Sequence, residues 1–449
     1  MFSTEDTIVA IATPAGTGGI GVVRISGASA VEVANGLLRL DAPLQPRHAT
    51  FARTHGDQVV ATYFPAPHSY TGEHVVEISA HGSPVVLRQL VEQAMSSGAR
   101  LAEPGEFTLR AFLNGRIDLV QAEAVADLIN AVTPLQARAA FDQLEGTLTE
   151  RIGEIDAELF DLTAKLEASL DFPDEGYHFV EAGEVSVALR TIEHKVAALL
   201  CEAKRGRLIR EGARVAIVGK PNVGKSSLFN GLVRTGRAIV TPIPGTTRDL
   251  VTETTDMNGL RLELIDTAGL RDTTDEVETE GVSRARRAWT TADLVLVVLD
   301  TSRPLEDGDL NVLRDTAAAR RLIALNKSDL EAAWHDVDVV APILTVSSKT
   351  GDGLDAVRAE IRAALEGANP AITRDTAAVT NVRHADLLDR ARAALRRAGE
   401  AVDGPGGPVA EEFVLTDLQD ARAALEEITG KRTSEDLLRH IFSRFCIGK

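Results

Sequence analysis

The densest chemistry in the chain lies in eight residues. Gly219-Lys-Pro-Asn-Val-Gly-Lys-Ser226 has the spacing G-x-x-x-x-G-K-[ST], with an apolar run (Val215–Val218) before it and an apolar-periodic stretch after it. A strand–loop–helix of this kind curls backbone N–H groups around phosphate oxygens. Lys225 brings positive charge to the β- and γ-phosphates, and Ser226 offers a hydroxyl to Mg²⁺. Gly219, Asn222, Val223, Gly224, Lys225, Ser226 and Ser227 are the expected nucleotide contacts of this loop.

Three further motifs follow in order. Asp266, Thr267, Ala268 and Gly269 come directly after the run Leu262–Ile265; a carboxylate there suits the magnesium shell, and the glycine N–H suits a γ-phosphate. Asn326, Lys327, Ser328 and Asp329 end the run Leu322–Leu325. A carboxylate at Asp329 pairs with guanine N1–H and its 2-amino group; adenine lacks that amino donor, so the motif selects GTP. Ser347, Ser348 and Lys349 sit after the last apolar run, where a loop reaches the base. Between the first and second motifs, Gly245-Thr-Thr-Arg-Asp249 occupies the switch interval, and Thr247 is the candidate for Mg²⁺. The residue after Gly269 is Leu270, where Ras-like enzymes carry a water-orienting glutamine. Another polar group must serve, and Asp272, Asp275, Glu276, Glu278 and Glu280 are the local choices; spacing does not select among them.

The elements that must hold these motifs can be read from periodicity. Residues 212–371 alternate short apolar runs with polar helical segments, the pattern of a parallel sheet covered on both faces. Residues 1–116 read as mixed α/β, with strands at Ile8–Ala12, Ile20–Ile25 and Val75–Ser79 and a helix at Pro84–Met95. From residue 117 to 211 the period becomes helical. Phe141, Leu144, Leu148, Ile152, Ile155, Leu159, Leu162, Leu166 and Leu170 predict one long amphipathic helix, closed by Asp171-Phe-Pro-Asp174. Residues 372–449 are helical again, with Phe413–Ile428 and Leu437–Phe445 as helices. The expected fold class is multidomain α/β plus α: an N-terminal α/β domain and a discontinuous helical bundle into which a Ras-like P-loop domain is inserted.

Composition bounds the partners. The 449 residues carry a formal net charge of −18, so non-specific nucleic-acid binding is disfavoured and any RNA contact needs a local basic patch. Arg383, Arg390, Arg392, Arg396 and Arg397 form a basic run, but acids interrupt it. Two cysteines, Cys201 and Cys446, exclude a disulfide framework. No apolar stretch reaches membrane-spanning length, and the N-terminus does not read as a secretory signal, so a cytoplasmic protein is expected.

Dispersed motifs now carry a resemblance. Asp6-Thr-Ile-Val-Ala10, Gly21-Val-Val-Arg-Ile-Ser-Gly27, Glu103-Pro-Gly-Glu-Phe-Thr108, Gly245–Asp249 and the tail Phe445-Cys-Ile-Gly-Lys449 are similar to those of the MnmE (TrmE) family of tRNA-modification GTPases, over the whole chain. The resemblance implies an N-terminal folate-binding domain and a homodimer built through it. It implies a flavoprotein partner, MnmG (GidA), in a heterotetramer. The pair would install a carboxymethylaminomethyl or aminomethyl group on C5 of the wobble uridine of certain tRNAs. The implied one-carbon donor is 5-formyl- or 5,10-methylene-tetrahydrofolate, and the implied GTPase is potassium-dependent.

Site roles follow from the resemblance. Asn222, Thr241, Ile243 and Thr246 match K⁺ ligands, so that Thr241, Pro242, Ile243, Pro244, Gly245, Thr246 and Thr247 become nucleotide-facing. Glu278 matches the water-orienting glutamate. Arg24, Glu77, Arg116 and Lys449 match folate-binding positions; family members often have lysine at the position of Arg116. Cys446 matches a tail cysteine that could be reactive. His74 and His81 match no role and read as ordinary hydrogen-bonded histidines. The rival reading is a regulatory GTPase of ribosome assembly, of the Era or EngA kind, which shares the loop and switch but lacks the folate domain and tail.

Overall fold

The computed structural model describes residues 5–171, 182–235, 237–238, 251–257, 259–266, 289–335, 337–366, 379–403 and 411–449. The chain divides into two compact units. The first comprises Met1–Ala126, Gln143–Glu193 and Arg390–Lys449, and the second Asp127–Asp142 and His194–Asp389.

The strands are β1 (Ile8–Ile11), β2 (Gly18–Ser26), β3 (Ala49–Arg53), β4 (Gln58–Phe64), β5 (Val75–Gly82), β6 (Arg100–Leu101), β7 (Ala213–Val218), β8 (Arg237–Ala238), β9 (Val251–Met257), β10 (Leu260–Asp266), β11 (Leu294–Asp300), β12 (Arg321–Asn326) and β13 (Ile343–Thr345). The helices are α1 (Ala30–Leu37), α2 (Pro84–Ser96), α3 (Glu106–Leu113), α4 (Leu119–Asn130), α5 (Pro134–Leu144), α6 (Thr147–Asp171), α7 (Ala182–Glu211), α8 (Lys225–Thr235), α9 (Asp307–Asp315), α10 (Leu354–Glu366), α11 (Val382–Asp403), α12 (Glu411–Thr429) and α13 (Glu435–Phe442).

In the first unit a six-stranded sheet runs β3-β4-β5-β2-β1-β6. Strand alternation decides its two faces. Val23, Ile25, Val76 and Ile78 point into a core completed by Leu87, Leu90 and Ala94 of α2 and Val33 of α1. Arg24 and Glu77 therefore fall on the opposite face, where Ile8, Ala10, Ala102 and Phe107 form a second, smaller cluster. Arg110 of α3 is fully buried beside it, held by Asp6, Glu73 and Glu106.

Helices from both ends of the sequence share this unit. Along α6, Leu148, Ile152, Ile155, Leu159, Leu162 and Leu166 are all buried, as the apolar stripe predicts. Arg422 of α12 pairs with Asp156 of α6 at 2.9 Å and lies over the Phe160 ring, and Arg392 of α11 pairs with Glu193 of α7. The expected single helix through Phe141 is corrected: α5 ends at Leu144 and α6 starts at Thr147. Gly146 between them has φ +95°, a left-handed residue that stops a helix, and Phe141 is left exposed. The last helix also ends earlier than periodicity predicts, at Phe442 rather than Phe445.

The second unit contains a seven-stranded sheet in the order β13-β12-β11-β7-β10-β9-β8. β13, β12, β11, β7 and β10 are parallel. The all-parallel expectation is corrected at one edge, where β9 pairs antiparallel with β10 and β8 antiparallel with β9. A short connection around Gly259, φ +93°, allows that reversal, whereas a parallel neighbour would need a crossover. Apolar clusters lie on both faces of the sheet.

Candidate nucleotide site and N-terminal pocket

All five parallel strands of the second unit end at the same edge of the sheet, and the chemistry collects there. β7 runs into the phosphate loop, and α8 starts at Lys225, so the helix N-terminus and its dipole face the loop. The turn needs left-handed backbone at Asn222 (φ +63°) and Gly224 (φ +99°). A side chain at Gly224 has no room: its Cβ would lie 2.2 Å from Asn326 Nδ2. Lys225 is buried, and its Nζ donates to the carbonyl of Lys220 at 2.7 Å across the loop. Ser226 Oγ donates to Asp266 Oδ2 at 2.8 Å, which joins the first two motifs. Hydroxyl and carboxylate at that distance supply hard oxygen donors, which suit Mg²⁺.

The motif at 326–329 is tied to the same loop. Asn326 is fully buried; its Nδ2 donates to Val223 O at 2.7 Å and to Ser348 Oγ at 3.1 Å, while its Oδ1 accepts from Ser348 N at 3.0 Å. Asn326 thus staples three motifs together. Lys327, at φ +66°, pairs with Asp300 at 2.6 Å. Asp329 is exposed, and its Oδ1 accepts from Ser347 Oγ at 2.6 Å. That hydrogen bond lowers the Asp329 pKa from its ordinary value, so the group is ionised at neutral pH and presents an acceptor.

Sequence reasoning overlooked Lys220 and Asp300. Lys220 is held by Glu306 and Asp309 at the start of α9, which anchors the outer side of the loop. Asp300 carried a readable signal, a carboxylate at a strand end beside the motif strand β12. Thr241, Pro242, Ile243, Pro244, Gly245, Thr246, Thr247, Thr267, Ala268, Gly269 and Glu278 lie outside the described residues, so Asn222 is the single expected K⁺ ligand within them.

In the first unit the tail and the sheet meet. Arg24 and Glu77 face each other across β2 and β5, with Nε to Oε1 at 2.9 Å. The Arg24 guanidinium lies 5.2 Å from the Tyr70 ring centre and 5.6 Å from that of Phe107, and its Nη1 donates to Gly448 O at 3.4 Å. Gly448 has φ +97°, and a Cβ there would come within 2.2 Å of Ile11 O, so the tail lies flat on β1. Lys449 is thereby brought to Arg24 and Glu77. Burial, reinforced by repulsion from Arg24, lowers its pKa, against the opposing pull of Glu77.

Arg116 is exposed and lies against Gly72; no hydrogen bond or ion pair ties it to Arg24, Glu77 or Lys449. Cys446 is exposed, while its carbonyl accepts from Gly105 N at 3.4 Å. Tyr70, Phe107 and Thr108, which fix Arg24 from beneath, were not singled out from sequence, because ring-over-cation contacts carry no periodic signature. His74 bonds Tyr63 at 2.7 Å and His81 bonds Asp57 at 2.6 Å, as ordinary histidines do. The basic run is largely neutralised, since Arg390, Arg392 and Arg397 pair with Glu427, Glu193 and Asp417.

A glycine loop between strand and helix, a Ser–Asp pair at its mouth and an Asn-Lys-Ser-Asp motif stapled beside it through Asn326 define a P-loop nucleotide-binding protein with a guanine-type motif. Residues 7–116 match the family described as GTP-binding protein TrmE N-terminus, and residues 119–446 match the MnmE helical domain. The tRNA modification GTPase MnmE of Koribacter versatilis is 45% identical over 100% of both chains. That of Symbiobacterium thermophilum is 45% identical over 99% of this chain and 100% of the relative, and that of Geobacter sulfurreducens 42% identical over 99% of each. The chain belongs to the MnmE (TrmE) family.

Proposed function

We propose that this chain is a GTP hydrolase of tRNA modification. With a flavoprotein partner of the MnmG kind it would add a carboxymethylaminomethyl or aminomethyl group to C5 of the wobble uridine, working in the cytoplasm as a homodimer within a heterotetramer. The observation that carries the nucleotide part is the Asn326 staple, which holds phosphate loop and base loop in one piece with Asp329 ionised beside them. The full-length relatives bear the name of a tRNA modification GTPase. Among the described residues no helix is long and apolar enough to cross a membrane. The boundaries at 116, 211 and 371 are our division of the chain into N-terminal, helical and G domains. Nucleoside analysis of tRNA from a deletion strain, with and without this chain restored, tests the assignment; an unchanged wobble uridine overturns it.

In hydrolysis the residues present bind and orient. Lys225 would leave the Lys220 carbonyl for the β- and γ-phosphates, and the α8 N-terminus would hold the phosphate charge. Mg²⁺, held by Ser226, Thr247 and the Asp266 shell, would neutralise charge on the phosphates. Asn222, Thr241, Ile243 and Thr246 would hold K⁺, which would supply positive charge at the phosphates in place of an arginine finger. Glu278 is proposed to orient water, since Leu270 cannot. Glu278→Ala is expected to cut single-turnover hydrolysis by about 10²-fold with GTP affinity nearly unchanged. The wild type should be much slower in NaCl than in KCl. Equal rates in the two salts would sink the potassium assignment, and a fully active Glu278→Ala would pass the role to another carboxylate of the stretch 272–280.

For folate we propose that Arg24, Glu77 and Lys449 form the pocket, with Arg116 at its edge. The donor would be a 5-formyl- or 5,10-methylene-tetrahydrofolate, whose anionic tail the cations would take and whose amino-pterin Glu77 would take. Phe445 is a core residue packed 5.2 Å from Phe442, so the clean test spares it. Removing Cys446–Lys449 is expected to abolish 5-formyltetrahydrofolate binding and leave GTP affinity intact in paired titrations. The lowered Lys449 pKa gives a sign as well. The charge that attracts the folate carboxylates is lost as pH rises through a value below the ordinary ~10.4, so affinity should fall there. Lys449→Arg should keep its affinity to higher pH. Coincident pH profiles for wild type and Lys449→Arg would remove Lys449 from the site.

A further inference from the structure

The opposite end of the second unit's sheet opens into a cleft of about 630 Å³. It lies at the amino-terminal ends of the parallel strands: Ala213 opens β7, Arg261 is the second residue of β10, and Asp293 and Arg320 immediately precede β11 and β12. The nucleotide motifs sit at the carboxyl ends of those strands. A six-residue strand separates the two by about 20 Å, so an occupant of the cleft would not compete with GTP. One wall is α7, where Lys204, Arg207, Leu208 and Glu211 recur at three- and four-residue steps on one face.

Five cationic and three acidic side chains line this cleft. Helix C-termini point to this end of the sheet, and their dipoles attract some cations without any ligand. Carboxylates already neutralise two of them: Arg207 pairs with Glu211 and Arg214 with Glu263, each within 3.0 Å. Asp293 accepts from the backbone N of Arg214 at 2.8 Å. Lys204, Arg261 and Arg320 have no carboxylate partner among the described residues and form a surplus in a chain of net charge −18. Arg261 is also positioned: its Cβ and Cγ lie 3.1 Å from where a side chain at Gly212 would begin, so only the glycine admits its stem.

Spacing selects the ligand class. β12, β11, β7 and β10 are successive neighbours, which puts Arg320 and Arg261 three strand spacings apart, about 14 Å. Cations that leave the sheet at points so far apart suit an extended polyanion, and a nucleic-acid strand offers a row of phosphates rather than one. The lining is charged rather than apolar, unlike that of a small-molecule pocket. We propose that this cleft binds the phosphodiester backbone of the tRNA, through Lys204, Arg261 and Arg320. The inference rests on the tRNA-modification reading and supplies its RNA surface, which the paired Arg390–Arg397 run does not.

The test uses the full chain and an unmodified tRNA transcript, titrated over a range of KCl concentrations. Lys204→Ala, Arg261→Ala and Arg320→Ala combined are expected to weaken tRNA binding about 10²-fold near 0.1 M salt. They should lower the log–log salt slope by about two to three. GTP affinity, read on the same preparation, should be unchanged, which reports an intact sheet. The charge-keeping pair Arg261→Lys and Arg320→Lys should retain most of the slope. Unaltered tRNA affinity and slope in the triple variant overturn the proposal, as does a wild type that binds no tRNA or that releases it to an equimolar amount of inorganic triphosphate. Nucleoside analysis separates this from the broader reading: weakened binding by the triple variant, with no wobble modification by the wild type, refutes the function and leaves the cleft standing.

Discussion

Asp329→Asn is expected to weaken GTP binding by about 10²-fold or more and to create affinity for xanthosine triphosphate. The carboxylate is ionised and exposed, with Oδ1 occupied by Ser347 Oγ at 2.6 Å. Its remaining acceptor capacity matches the paired donors of guanine, N1–H and the 2-amino group. An amide turns one acceptor into a donor, which faces those donors badly and faces the C2 carbonyl of xanthine well. A site built to hydrogen-bond a substrate loses far more on such a mismatch than an apolar pocket loses on a methylene. The local fold should survive, since Ser347 can donate to an amide oxygen as it does to a carboxylate. Competition between the two triphosphates is the measurement. Unchanged GTP affinity would show that the loop at 326–329 does not read the base.

The motif at 326–329 is legible in sequence because a base-reading role would fix residue type and spacing together. The structure adds why Asn326 is there: its three hydrogen bonds run to Val223 and Ser348, not outward. The parallel strands were legible too, since burial on both faces makes them continuous apolar runs such as Leu294–Leu299. β9 was not, because Val251-Thr-Glu-Thr-Thr-Asp-Met257 lies near the sheet edge and carries little apolar signal. β3 is a five-residue edge strand with little apolar signal, whereas β4, Gln58-Val-Val-Ala-Thr-Tyr-Phe64, carried a readable β-branched and aromatic signal that sequence reasoning overlooked.

The break at Gly146 escaped because an isolated glycine inside a helical pattern is compatible with either outcome, and φ is decided by the chain around it. In the N-terminal pocket the pairing of Arg24 with Glu77 depends on β2 and β5 being neighbours, which no local pattern reveals. The motif resemblance supplied those two residues; the support beneath them from Tyr70, Phe107 and Thr108 came from the structure.

A single methyl group at Gly224 is expected to disable the phosphate loop. Gly224→Ala would set a Cβ 2.2 Å from Asn326 Nδ2, at a residue held at φ +99°. The left-handed backbone alone costs an alanine roughly 1–2 kcal/mol. Asn326 is fully buried and cannot swing to solvent, so relief means breaking its bonds to Val223 O and Ser348. Each buried partner left unmet costs about 1–3 kcal/mol. Together these terms come to about 3–8 kcal/mol, set against the arrangement in which the loop presents its N–H groups to phosphate. Nucleotide affinity should therefore fall by about 10²-fold or more, because the competent loop becomes a minor state. Gly153→Ala is the matched control, since a Cβ at Gly153 in α6 meets nothing within 4 Å and alanine favours a helix. It should be neutral or slightly stabilising. Nucleotide titration and thermal unfolding of both variants decide the matter. A Gly224→Ala chain that binds GTP as the wild type does would mean that the Asn326 staple is dispensable, and with it the structural basis offered here for a single, preformed nucleotide site.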